Sequence, residues 1–256
     1  MPPHNPPKGI IFDLGDVLFT WSPNTSTTIP AKMMRSMLSS TIWMKYECGD
    51  IEQDACYYQI AQHFSVPAFE VAEAFSQARD SLQPNYDMVS FIRDFKQQSQ
   101  GAIEIYAMSN ISKEDWAVLS TKMPDWSIFN QVFTSGHAGM RKPDPEFYRH
   151  VLQEIRLSPE ETLFIDDKME NVLAAKSLGI DSLVFDNNVT VLHALRTILH
   201  DPVGRAFQYL HRHAQHFDSI TETGVDVPNN FAQLLILDAM QDPYASLVLI
   251  SPLFHR

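Results

Sequence analysis

Two kinds of apolar spacing alternate along this chain. In residues 9–21, GIIFDLGDVLFTW, Ile10, Ile11 and Phe12 run without a break into Asp13, and Leu14, Gly15 and Asp16 then interrupt the run. An apolar run closed by a turn predicts a strand buried on both faces, here delivering the Asp13 carboxylate to its own C-terminal end. From about residue 31 to 97 the period becomes helical. Met33, Met34, Met37 and Leu38 share one face, as do Tyr57, Ile60, Ala61 and Phe64, and Pro84 starts a last helix through Val89, Phe91, Ile92 and Phe95. This block predicts several helices with no strand between them. Buried strands return at 103–108, ending on Ser109 and Asn110, at 131–134, at 162–165, running into Asp166 and Asp167, and at 180–185. Helices are predicted between them: one after Glu114 and Asp115, one started by Asp144 or Pro145 and carrying Phe147, Val151 and Leu152, and one through Val172, Ala174, Ala175 and Leu178 that stops at Gly179.

Strands alternating with helices predict an α/β fold, a Rossmann-like doubly wound parallel sheet. Residues 1–20 and 98–216 are expected to form the core, 21–97 an α-helical cap inserted over the sheet edge that carries Asp13, and 217–256 an apolar C-terminal extension. His-rich helices at 190–215 close the core. In the extension, Phe231, Leu234, Leu235, Leu237 and Met240 recur at helical spacing, and 244–254 is again mostly apolar. Such a surface must pack against its own sheet, a second copy in a homodimer, or a further domain.

Charge narrows the partners. Lys and Arg total 19 against 31 Asp and Glu, a formal charge of -12 with no basic run, so nucleic acid is not expected. An anionic substrate would be opposed by the global field and would need local positive charge from a metal, a lysine or helix N-termini. Cys48 and Cys56 fit neither a metal nor a redox motif and are expected as reduced thiols. The Pro-rich N-terminal stretch lacks the apolar centre of a signal peptide, and no run approaches the ~20 apolar residues of a membrane span. The expectation is a soluble cytoplasmic protein.

In an open parallel sheet, ligands bind outside the C-terminal ends of the strands. Asp13, Ser109, Asp166 and Asp167 all fall there, and Lys142, in KPDP, is held just before a helix N-terminus, where both favour an anion. A set of carboxylates without His or Cys suits Mg2+. Together with a hydroxyl and a lysine, that is the equipment of phosphoryl transfer. Asp13 can attack phosphorus itself, forming an aspartyl phosphate that water then cleaves.

The ordered set Asp13 in FDLGDVLF, Ser109 in YAMSN, Lys142 in GMRKPDP, and Asp166 with Asp167 in FIDDKMEN resembles the four motifs of the haloacid dehalogenase (HAD) superfamily over residues 9–185. The resemblance implies that Asp13 is nucleophile and metal ligand, that Asp166 ligates Mg2+ with Asp167 in support, and that the Gly15 carbonyl completes the metal site. It also implies that Ser109 and the Asn110 backbone bind the phosphoryl oxygens, that Lys142 neutralises nucleophile and phosphate, and that Asn171 fixes the acidic loop. The implied reaction is Mg2+-dependent hydrolysis of a small-molecule phosphate ester. Metal-independent dehalogenation is the rival within the scaffold, and it leaves the paired Asp166 and Asp167 unexplained.

One departure matters. Phosphatases of this superfamily usually carry a second Asp two residues after the nucleophile, and this chain has Gly15 there, with its Asp one place later at Asp16. Asp16, a cap residue or water is the expected substitute, against the alternative that Asp16 only caps the loop. A narrower resemblance links FDLGDVLF, DDKME and the NNFAQLLILD segment to fungal HAD-like proteins of drimane-type sesquiterpene pathways, some of them cyclases and others phosphatases. It implies a prenyl or sesquiterpenoid phosphate as substrate. The alternatives are a HAD-like sesquiterpene cyclase, or its N-terminal portion, acting on farnesyl diphosphate, and a non-catalytic HAD scaffold; the D-x-D-T acid motif of such cyclases does not occur in these residues.

Overall fold

In a computed structural model of the chain, the described residues are 7–200; the rest of the helical region expected at 190–215 and the apolar extension lie outside them. The N-terminal half runs β1 (Gly9–Phe12), β2 (Phe19–Thr20), α1 (Ala31–Leu38), α2 (Thr41–Glu47), α3 (Gln53–Phe64), α4 (Ala68–Asp80), β3 (Gln83–Pro84) and α5 (Tyr86–Gln98). It continues as β4 (Glu104–Ser109), α6 (Lys113–Leu119), β5 (Gln131–Thr134), α7 (Ser135–Ala138), α8 (Pro145–Ile155), β6 (Thr162–Asp166), α9 (Met169–Ser177), β7 (Asp181–Val184) and α10 (Asn188–His200). Five parallel strands form one sheet in the order β5-β4-β1-β6-β7, as the alternating pattern predicts.

Register follows from burial on both faces. Ile10 and Phe12 pack with Ile105, Ala107, Leu163 and Ile165 against α5 and α10, while Ile11, Tyr106, Met108 and Phe164 face α8 and α9. A one-residue slip would exchange the two faces of every strand, so the register is strongly specified. Phe12 stands level with Ala107 on one side and Ile165 on the other, which brings Asp13 level with Met108 and Asp166. The helix after KPDP starts where expected, with Pro145 in its first turn and the Asp144 carboxylate accepting the Glu146 amide at 3.0 Å.

The inserted helices α1 to α4 bury a separate cluster that includes Met34, Met37, Trp43, Tyr46, Tyr57 and Phe75, with Trp43 and Phe75 stacked at 4.3 Å between ring centroids. The expected strand-free helical block to residue 97 is corrected at its end. Gln83 and Pro84 pair antiparallel with β2, so the chain leaves and re-enters the core through one two-stranded ribbon. The following helix α5 then buries Met88, Val89, Ile92 and Phe95 in the sheet core, not in the insertion. Helical spacing reports that a face is buried and is silent about what covers it.

Within the core, the turn after β4 and α7 meet at a close backbone approach. A side-chain carbon on Gly136 would lie 2.7 Å from the Lys113 amide nitrogen and 2.9 Å from the Ser112 carbonyl carbon. Gly136→Ala is therefore expected to destabilise the protein by about 1–3 kcal/mol, seen as a lower urea midpoint. Gly15→Ala, where a β-carbon meets nothing within 4 Å among the described residues, is expected to leave the midpoint nearly unchanged.

Candidate active site

At the C-terminal ends of β1, β4 and β6 the sheet gathers the residues picked from the sequence. Asp13, Ser109, Lys142, Asp166 and Asn171 are all buried. The Lys142 Nζ lies 2.9 Å from Asp13 Oδ1 and 2.6 Å from Asp166 Oδ2, and donates to the Met108 carbonyl at 2.8 Å. A buried ammonium is tolerated only when its donors are satisfied and its charge is matched, and this one has three acceptors. Its own backbone is locked: Asn110 Nδ2 donates to the Lys142 carbonyl and the Lys142 amide donates to Asn110 Oδ1, both at 2.8 Å.

Asp166 is fixed from every side. Asn171 Nδ2 donates to its two oxygens at 2.9 and 3.0 Å, and the Lys168 amide donates to Oδ1 at 2.8 Å. The Tyr148 hydroxyl in turn donates to the Asn171 carbonyl at 2.9 Å. The Asp13 Oδ1 accepts the Leu14 amide at 2.6 Å. Ser109 ends β4 beside this group, and Asn110 starts the loop that leaves it.

Carboxylate oxygens of Asp13, Asp166 and Asp167 all lie within 4.8 Å of one another. Three carboxylates face the buried Lys142, with the Lys168 charge also acting on Asp167, and among the described residues the Asp167 Oδ1 is buried with no hydrogen-bond partner. An orphaned acceptor in an oxygen-only, net negative cluster is what a bound hard cation would satisfy. The residues present therefore fit a Mg2+ ion.

Charge states follow from the same geometry. Burial pushes the Asp13 carboxyl up to about 7, with Lys142 opposing and Asp166 adding to the rise. Burial also raises Asp167. For Asp166 burial acts upward too, but Lys142, the Lys168 amide and Asn171 together hold it below the usual carboxylate range. Lys142 is driven down by burial, yet Asp13 and Asp166 outweigh this and keep it charged above the usual lysine value.

Asp16 stands apart. It is exposed, adopts a left-handed backbone with φ of 56°, and accepts the Trp21 indole N–H at 3.4 Å. Gly15 is exposed, and a side-chain carbon there would meet nothing within 4 Å among the described residues. Tyr148 escaped the sequence reading, although its spacing with Val151, Leu152 and Ile155 on one apolar helix face marks it as buried.

The haloacid dehalogenase-like hydrolase model matches residues 7–179. The chain belongs to the HAD-like hydrolases. A second model, the sesquiterpene cyclase astC-like C-terminal domain, matches residues 203–252. Among HAD-like relatives, drimenol cyclase drtB of Aspergillus calidoustus is 42% identical over 245 residues, which is 96% of this chain and 46% of that protein. This chain thus spans less than half the length of the cyclase. Sesquiterpene phosphatase astK of Aspergillus oryzae is 38% identical over 192 residues, covering 75% of this chain and 96% of that protein. A HAD family enzyme of Bacteroides thetaiotaomicron, solved with magnesium and inorganic phosphate, shares the fold with a TM-score of 0.54, 21% identity and coverage of 72% of this chain and 98% of its own. Among the described residues no helix is long and apolar enough to cross a membrane.

The raised Asp13 carboxyl has a consequence for stability. It holds a proton up to about 7 in the folded metal-free chain, against an ordinary value of 3.8, so folding takes up a proton between those values and stability falls as pH rises through them. Asp13→Asn removes that titration. In EDTA, its melting temperature relative to wild type is expected to climb from about pH 5 to pH 8 in scanning calorimetry. A difference independent of pH would contradict the raised carboxyl.

Proposed function

We propose that the chain is a Mg2+-dependent phosphatase that transfers the phosphoryl group of a small phosphomonoester to Asp13 and then to water. The observation that carries this reading is the buried Lys142 bridging Asp13 and Asp166, beside an Asp167 oxygen that has no partner among the described residues. Asp13, Asp166 and Asp167, with the Gly15 carbonyl, would hold the Mg2+, which when bound neutralises charge on the phosphoryl oxygens. Lys142 holds the Asp13 carboxylate in one orientation and adds positive charge beside the phosphoryl group, while Ser109 and the Asn110 backbone bind its remaining oxygens. An Asp13 oxygen bonds to phosphorus as the ester P–O bond breaks. The leaving alkoxide takes its proton from water in the open space at Gly15. The hydroxide left by that transfer then attacks phosphorus, the Asp13 acyl P–O bond breaks, and inorganic phosphate leaves with Asp13 returned as carboxylate.

The substrate we infer is a prenyl or sesquiterpenoid phosphate, supported by the likeness to astK over nearly that protein's whole length. A second reading has its own support. The likeness to drtB covers 96% of this chain against 75% for astK, and the astC-like match at 203–252 is a cyclase-domain match. That reading is the N-terminal portion of a HAD-like cyclase acting on farnesyl diphosphate.

Phosphate release from p-nitrophenyl phosphate, farnesyl phosphate and a cyclic sesquiterpenoid phosphate, in Mg2+ and in EDTA, separates the readings. Expected are Mg2+-dependent release and a loss of at least about a thousandfold in Asp13→Asn. No release from any ester would overturn the phosphatase. Cyclised product from farnesyl diphosphate would establish the second reading. Gly15→Asp, which the open space accommodates, is expected to raise kcat on an alkyl phosphate by up to about 100-fold. It should change p-nitrophenyl phosphate little, because that leaving group needs no proton. Equal effects on both esters would show that leaving-group protonation does not limit turnover.

A further inference from the structure

Two ion pairs join the inserted helices to the core among the described residues. Arg79 of α4 donates to Asp115 of α6 at 3.1 Å and to the Tyr57 hydroxyl at 2.7 Å. Arg141 Nε donates to Glu47 Oε2 at the end of α2, at 3.0 Å. The first pair lands on a helix. The second lands on the residue before Lys142, whose backbone is locked to Asn110.

Glu47 also reaches the other site loop. The Ser135 hydroxyl donates to the Glu47 carbonyl at 2.7 Å and to the Ile111 carbonyl at 3.1 Å, sharing one proton, and accepts the Ile111 amide at 2.9 Å. Ile111 follows Asn110 directly. The Gly136 amide donates to the same Ile111 carbonyl at 3.0 Å. Just past Glu47, Gly49 takes a left-handed turn with φ of 76°, and a side-chain carbon there would lie 3.3 Å from the Gly136 carbonyl oxygen. Two short routes therefore leave Glu47: through Arg141 to Lys142, and through Ser135 to the Ser109–Asn110 turn. Both end on groups that must hold their geometry for phosphoryl transfer, where small displacements are costly.

We propose that Glu47 and Arg141 are positioning residues whose ion pair couples the seating of the inserted helices to the placement of Lys142 and of the Ser109–Asn110 turn. The activity readout of this inference rests on the phosphatase reading; its exchange readout does not.

The test compares wild type with Glu47→Gln, Arg141→Gln, the double variant, Arg141→Lys, and the charge-exchanged pair Glu47→Arg with Arg141→Glu. Turnover of p-nitrophenyl phosphate and amide hydrogen exchange at Ile111 and Lys142 are followed in each, with melting temperatures confirming that each variant folds. Each single Gln variant is expected to lower kcat about tenfold or more with little change in KM, and the double variant to be no worse than either. Arg141→Lys and the charge-exchanged pair should recover part of the loss. Exchange at Ile111 and Lys142 should quicken in the Gln variants and not in Arg79→Gln, which loosens the other ion pair. Multiplying losses in the double variant, or exchange at the two amides unchanged from wild type, would overturn the coupling. If wild type itself releases no phosphate, the phosphatase reading fails, and the exchange measurement alone still decides the coupling.

Discussion

The structure of the site depends on one buried ammonium. Lys142 is 1% exposed, so its charge is almost entirely removed from water and must be matched locally. An unmatched ion at such depth costs several kcal/mol even after relaxation. Asp13 and Asp166 supply the match, and they do so only because β1 and β6 are neighbours in register, with Met108 of β4 offering its carbonyl from the other side. Three strands and the loop before α8 must all be in place before the lysine can be buried. That requirement ties the local geometry of the site to the correct assembly of the central sheet.

The same arrangement leaves a surplus of negative charge. One buried lysine, with Lys168 acting on Asp167 from nearby, faces three carboxylates, and among the described residues one oxygen of Asp167 stays without a donor. Burial is the main reason that Asp13 and Asp167 are both raised, and the neighbouring carboxylates add to it. In the proposed reaction a divalent cation would relieve the surplus, and sharing it with a phosphate would bring an anion to a chain whose formal charge of -12 otherwise repels it. In the proposed reaction, local charge at the strand ends would act against the global field and let an acidic chain take a phosphorylated substrate.

Much of this was legible in the residues. Ile10, Ile11 and Phe12 mark a strand buried on both faces, and an Asp at its end has no packing reason to be there. Asp166 and Asp167 repeat that pattern, and KPDP marks a rigid helix start carrying Lys142. Less visible was what each helix packs against: α5 shares the helical period of the inserted helices yet belongs to the sheet. The Asn110 and Lys142 amide exchange, the Tyr148 support of Asn171, and the Glu47 and Arg141 pair join residues far apart in the chain, so no local spacing announces them. Asp16 lies close to Asp13 in sequence, and its left-handed backbone and the bond from the Trp21 indole are features that no local spacing shows.

The central claim is that Asp13 itself accepts the phosphoryl group. Its most direct test is an acid-quenched single turnover with a phosphomonoester, followed by borohydride reduction and peptide mass mapping, since an aspartyl phosphate is reduced to homoserine where a free carboxylate is not. The expected result is homoserine at position 13 in wild type. Phosphate release with an unmodified Asp13, or reduction at a different carboxylate, would contradict it.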